Sequence, residues 1–242
     1  YTSPMKRMTS LVFALCLLAA GCRQPATSQS DTRAAGGPEF EKLTDEFTRG
    51  VLALSPVTAT QAGYHEHNGM KLDEAIDDFS AAGLDSQRRF YKDVQSRLAS
   101  LNASSLDREQ QADLQILRNN VGVSLLELDT IQSYHHNPTV YVELVGNALF
   151  APLVLNYAAP DVRFQHIIKR LEKIPALVDQ AKTNLVDAPE VWNRVAREEN
   201  QGNIDLIDQT LRKAAPDALK TSYDAAAGPA LTALKDLNTF LA

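Results

Sequence analysis

Cysteine is nearly absent from this chain: Cys16 and Cys22 are the only two. Both fall in or at the end of an apolar leader. No disulfide can therefore form within the body that follows, and no thiol there can serve as a nucleophile. A basic excess is also missing. Lys6 and Arg7 leave with the leader, which takes the 24 basic residues down by two against 30 acidic ones and the net charge from −6 to about −8. That balance argues against a non-specific nucleic-acid binder. No G-x-S-x-G elbow supports a serine hydrolase, and there is no glycine-rich phosphate loop. No segment shows a sustained strand alternation, and no repeat of fixed period is visible. Stability must come from packing, for which the roughly 200 residues beyond position 38 are enough.

What is present begins at the N-terminus. Tyr1 to Pro4 precede Met5, the expected start. Lys6 and Arg7 form a short positive region, and residues 11–20 are an unbroken apolar run of ten. Such a run suits a signal peptide and falls short of the about 20 residues that span a bilayer. It ends in Leu18-Ala19-Ala20-Gly21-Cys22, which resembles the bacterial lipobox. The resemblance implies a diacylglyceryl thioether on Cys22, cleavage after Gly21 and acylation of the new terminus, enough acyl chains for a stable membrane anchor. Arg23 stands where an aspartate would signal inner-membrane retention, so the periplasmic face of the outer membrane is favoured. Residues 1–22 are thus read as leader and 23–38, rich in Ser, Thr, Ala, Gly and Pro, as a flexible tether. Residues 39–242 form a helical domain.

That domain is expected to be all-α, an irregular bundle of about seven to nine amphipathic helices. Phe40, Leu43, Phe47, Val51 and Leu54 make one apolar stripe. Ser55-Pro56 restarts the chain, Gly63 closes a short helix, and residues 64–78 read as a polar loop. Leu84, Gln87, Tyr91, Val94, Leu98 and Leu101 mark a helix over about 80–101. Asp107 and Gln110 have capping-box spacing ahead of Leu114, Leu117, Val121, Leu125, Leu128 and Ile131. His135-His136-Asn137-Pro138 reads as a turn before a helix over roughly 139–150. Pro160-Asp161 opens a stripe running to Leu185, with Pro175 predicting a kink or break near Lys173. Pro189 starts a helix weakened at Gly202, and the last helix, about 217–241, is expected to bend at Gly228-Pro229.

The candidate chemistry is sparse. His65-Glu66-His67 lacks a zincin's second histidine, since Gly69 stands four positions after His65. His65 and His67 alternate along the chain, and with Asp73 or Glu74 they form the one conceivable metal set. His135 and His136 are better placed at a helix C-terminus, where imidazole favours the macrodipole. The pairs Asp77-Asp78 and Glu198-Glu199 read as solvated faces, and Trp192 as a core anchor. No residue is assigned a catalytic, cofactor-binding or metal-binding role; Cys22 is the one assigned site.

The order of several short segments resembles the bacterial domain-of-unknown-function 885 family over about residues 40–242. The carrying pieces are Ser55-Pro56-Val57-Thr58-Ala59-Thr60-Gln61-Ala62-Gly63-Tyr64-His65, Gln111-Ala112-Asp113, Asn137-Pro138 with Tyr141, Arg170-Leu171-Glu172-Lys173-Ile174-Pro175, the stretch from Ala181 to Pro189, and Gly228-Pro229-Ala230-Leu231 with Phe240-Leu241. The resemblance implies a secreted or lipid-anchored helical protein of more than twice this length. Its C-terminal half would carry an HExxH zinc motif and a carboxypeptidase-like activity toward peptide substrate. On that reading this chain is the non-catalytic N-terminal half, inactive by itself, with zinc expected only in the other half. The alternative is a complete helical lipoprotein that acts as a binding module.

Overall fold

Every long helix announced by apolar spacing is present in the computed structural model, which describes residues 36–242. Cys22, the leader and the tether as far as residue 35 lie outside the described residues. Helix α1 (Gly37–Leu54) starts two residues inside the segment read as tether, with Pro38 in its first turn, and buries Phe40, Leu43 and Phe47. Helix α2 (Pro56–Gln61) begins on Pro56 and is followed by Gly63 at φ +77°. Helix α3 (Ala81–Ser100) is capped by Ser80, whose hydroxyl accepts from the Gly83 amide. The capping box of α4 (Arg108–Leu126) forms as its spacing predicts: the Asp107 carboxylate accepts from the Gln110 amide and the Gln110 side chain accepts from the Asp107 amide.

After α4 the backbone passes through a π turn (Glu127–Ile131) and the left-handed Gln132 into α5 (Ser133–His136). The wider turn advances the register. Leu128 stays buried while Ile131, expected on the apolar stripe, is 50% exposed. Helix α6 (Thr139–Val154) runs one turn past its expected end. Pro175 does break the long stripe: α7 (Pro160–Leu171) stops and α8 (Ile174–Asn184) restarts from Lys173. Helix α9 (Glu190–Asp205) continues through a second π turn (Leu206–Leu211) into α10 (Arg212–Ala214). The last helix, α11 (Lys220–Phe240), continues unbroken through Pro229. Eight of these helices have eleven residues or more, in agreement with the predicted all-α bundle. No helix among the described residues is long and apolar enough to cross a membrane.

Residues 64–78 are not a plain loop. Two-residue strands β1 (Glu66–His67) and β2 (Met70–Lys71) pair antiparallel about Asn68-Gly69, both with positive φ. That is the residue pair a two-residue hairpin turn favours. A 3-10 turn (Leu72–Glu74) follows and buries Leu72 and Asp73. Asp77 is also not on a solvated face. It is half-buried and its Oδ2 accepts from the Val57 amide at 3.1 Å, capping α2 from twenty residues away. Asp78 points outward, so the pair does diverge.

Two apolar clusters hold the body together. The larger joins α6, α7, α8, α9 and α11 around residues such as Leu149, Ile167, Leu171, Leu177, Ile207 and Leu234. The smaller joins α1, α3 and α4 through Phe40, Leu43, Val94, Leu98, Leu114 and Val121. Each such side chain taken from water contributes roughly 1.5–3 kcal/mol. Trp192 belongs to neither. It is 41% exposed, one turn ahead of Ala196, the first buried residue of α9.

Candidate functional site

The buried stripe of α7 contains one cation. Ile167, Ile168 and Leu171 surround Arg170, and all four are buried, Arg170 completely. Such a charge requires partners for its whole donor fork. Nε donates to the Ala75 carbonyl at 3.0 Å and Nη1 to the Ala148 carbonyl at 2.9 Å. Nη2 lies 3.3 Å from the Pro56 carbonyl, 2.7 Å from Thr60 Oγ1 and 3.2 Å from the Leu72 carbonyl. The guanidinium thus ties α2, the 3-10 turn and α6 onto α7. Burial pulls its pKa below the usual arginine value, opposed by the negative charges of Asp73 and Asp77.

From Arg170 a polar chain runs to the surface. Thr60 Oγ1 accepts from Arg170 and donates to Asp73 Oδ1 at 2.6 Å. The buried Asp73 accepts from His65 Nδ1 at 3.0 Å. His65 is partly exposed and stacks on Tyr157, ring centres 4.7 Å apart. Below it, the Tyr157 hydroxyl lies 3.0 Å from Nδ1 of His166, and that nitrogen is 3.8 Å from Asp73. Burial, reinforced by the Asp73 charge, pushes the Tyr157 phenol up to about 12, so it keeps its proton at neutral pH, and which of the two donates is set by the His166 tautomer. Burial also lowers the His166 imidazole, with Asp73 opposing. Asp77 is pushed up to about 6 by burial, against the Val57 hydrogen bond and the charge of Arg170.

With Nδ1–H given to Asp73, His65 keeps its lone pair on Nε2. A histidine held this way can take a proton at Nε2 and carry the resulting charge beside a carboxylate. The conceivable metal set is not assembled. His67 bonds instead to Tyr64 at 2.9 Å and to the Asn68 side chain at 3.1 Å. Among the described residues no three His, Cys, Asp or Glu side chains are placed to hold a metal ion. His135 and His136 end α5, and their Nδ1 atoms donate to the carbonyls of Asn184 and Val186. They therefore cap the C-terminal end of α8 rather than their own helix.

Sequence reasoning singled out His65 and Asp73 but not Thr60, Tyr157, His166 or Arg170. For Arg170 a signal existed, a lone arginine inside the stripe of Ile167, Ile168 and Leu171. For Tyr157 and His166 nothing in the local pattern differs from surface positions.

The family model described as "Bacterial protein of unknown function (DUF885)" matches residues 56–242. No curated protein matches the chain. Among solved structures, the fold is similar to that of a Shewanella oneidensis protein described as "a putative lipoprotein of unknown function", with a TM-score of 0.75 and 22% identity. The superposition covers 84% of this chain but 37% of that one, so the chain spans little more than a third of its relative's length.

Proposed function

The chain belongs to the bacterial DUF885 family, and from that premise we propose that it is a lipid-anchored protein of the cell envelope. The lipid sits on Cys22, with the outer membrane as destination. In this reading residues 36–242 are the non-catalytic helical wall of a longer, zinc-dependent peptidase-like protein. The HExxH half would lie in the region beyond the matched third. The observation that carries the reading is the unequal coverage, 84% of this chain against 37% of the Shewanella protein. The wall would contribute its Arg170-tied polar chain, which brings His65 to the surface in a fixed tautomer.

Two measurements test this. Cells fed an alkyne-tagged fatty acid should label the wild-type protein and leave Cys22→Ala unlabelled and released from the membrane pellet. An unlabelled wild type removes the anchor. The peptidase part is tested by reading the gene beyond codon 242. An in-frame HExxH supports it, whereas a stop codon or a continuation without that motif removes it. A second reading, a helical lipoprotein that acts by binding, is favoured by an uncovered groove between α6 and α9.

A further inference from the structure

Helix α6 is apolar on nearly every side. Tyr141, Val142, Val145, Ala148, Leu149, Ala151 and Pro152 are buried in it. A helix of that composition is normally covered all round. Its remaining strip is not: Phe150 is 52% and Val154 53% exposed, following Glu143 and Asn147 along the same face. Beside this strip lies α9. Gly146 lets the two helices approach closely, since a Cβ there would lie 2.9 Å from Asn203 Oδ1. Asn203 is itself fixed by its Nδ2 donating to the Val142 carbonyl at 2.8 Å. Between the helices runs a groove of about 390 Å³ whose apolar lining is Val142, Gly146, Phe150 and Leu206.

Two carboxylates face each other across this groove, Glu143 on α6 and Glu199 on α9. Burial, and then the Glu143 charge, raise the pKa of Glu199. No hydrogen bond or ion pair to either carboxylate occurs among the described residues. Other acidic groups on helix surfaces do have a cation, as Asp129 has Arg88 and Asp208 has Arg212. An uncovered apolar strip with an uncompensated double negative charge is complementary to an apolar segment bearing a cation. The Phe150 ring adds a face on which an ammonium or guanidinium gains a further cation–π contact.

We propose that the α6–α9 groove docks a segment of another polypeptide in which a lysine or arginine is flanked by apolar residues. The cation sits between Glu143 and Glu199, and an apolar neighbour covers Phe150. Glu143, Glu199 and Phe150 are the specificity-determining contacts.

The probes are three blocked peptides, Ala-Leu-Lys-Leu-Ala, the same with norleucine for lysine, and the same with glutamate. Each is titrated into ¹⁵N-labelled protein and followed by amide chemical shifts. The lysine peptide should shift the resonances of Gly146, Asn147, Phe150 and Asn203 saturably. The norleucine peptide should bind about tenfold more weakly and the glutamate peptide not at all. Glu143→Gln with Glu199→Gln should cost about tenfold for the lysine peptide and remove its preference over norleucine. Phe150→Ala should weaken both peptides. All three positions are surface ones, and an unchanged melting temperature checks that the variants remain folded. Binding should also weaken as pH falls and Glu199 takes up its proton. The proposal is overturned if the lysine peptide gives no saturable shifts, if the shifts lie elsewhere, or if the double glutamine variant binds it unchanged.

Discussion

Arg170 shows how one residue can decide the geometry around it. Five oxygen acceptors from three separate segments converge on its guanidinium. Replacing it with methionine keeps much of the volume but strands those acceptors and leaves Asp73 and Asp77 without their cation. Removing one member of a buried charged set costs about 3–5 kcal/mol, and Arg170→Met should show that loss in urea unfolding. Arg170→Lys should recover little of it, because one ammonium cannot reproduce the planar fork. A loss below about 1 kcal/mol in Arg170→Met would mean the network contributes nothing net.

Asp77 makes a second residue-scale statement, with a definite sign. Its folded pKa, raised to about 6 from 3.8, means the folded state binds this proton more tightly than the unfolded state. Its contribution is therefore most favourable below the unfolded value and declines as pH rises between 3.8 and about 6. The shift corresponds to about 2–3 kcal/mol at most. Asp77→Asn keeps an oxygen for the Val57 amide and is neutral at every pH. It should flatten that part of the pH profile and raise stability at pH 7. Parallel slopes for wild type and variant between pH 4 and 6 would refute the assignment. Neither residue's role was open to sequence reading in full. Arg170 went unremarked although it is a lone charge within an apolar stripe, and its acceptors lie up to 114 residues away in the chain. Asp77 looked like one of a solvated pair because the amide it caps is brought to it only by the fold.

At the scale of elements the sequence was far more legible, since helix ends and apolar stripes are local. Pro56, Pro160 and Pro175 each sit in the first turn of the helix they start. The Asp107 capping box forms as spaced, and Asp107→Ala should cost about 1 kcal/mol. The misses are also local, but of a kind that apolar periodicity does not register: the Asn68-Gly69 hairpin, whose strands are too short to alternate, and the two π turns. How helices meet is likewise absent from a single helix's pattern, and two glycines test this. Around Gly202 nothing lies within 4 Å of an added Cβ, so Gly202→Ala should stabilise α9 by about 0.5–1 kcal/mol through helix propensity alone. Gly146→Ala gains the same propensity but drives a methyl to 2.9 Å from an Asn203 oxygen held by the Val142 bond. It should be net destabilising, by about 1–2 kcal/mol. Equal melting-temperature shifts in the two variants would deny the close contact.

For the whole molecule, the division into two apolar clusters has a consequence for how it opens. The smaller cluster draws on α1, α3, α4 and Leu106 in the segment before α4, while the larger spans five long helices and the Arg170 clamp. Helix α3 joins them: Leu84 is buried in the larger, Val94 and Leu98 in the smaller, and Tyr91 packs against both. Sub-global opening follows such divisions, with the region of fewer buried contacts opening first. Amide exchange in α1, α4 and the C-terminal half of α3 should therefore proceed through an opening of lower free energy than exchange in α7, α8 and α11. Leu98→Ala, which removes a buried side chain worth about 2–5 kcal/mol, should speed exchange in the first group and leave the second nearly unchanged. If the variant instead speeds all helices alike, the described residues unfold as one cooperative unit and α3 transmits stability rather than separating it.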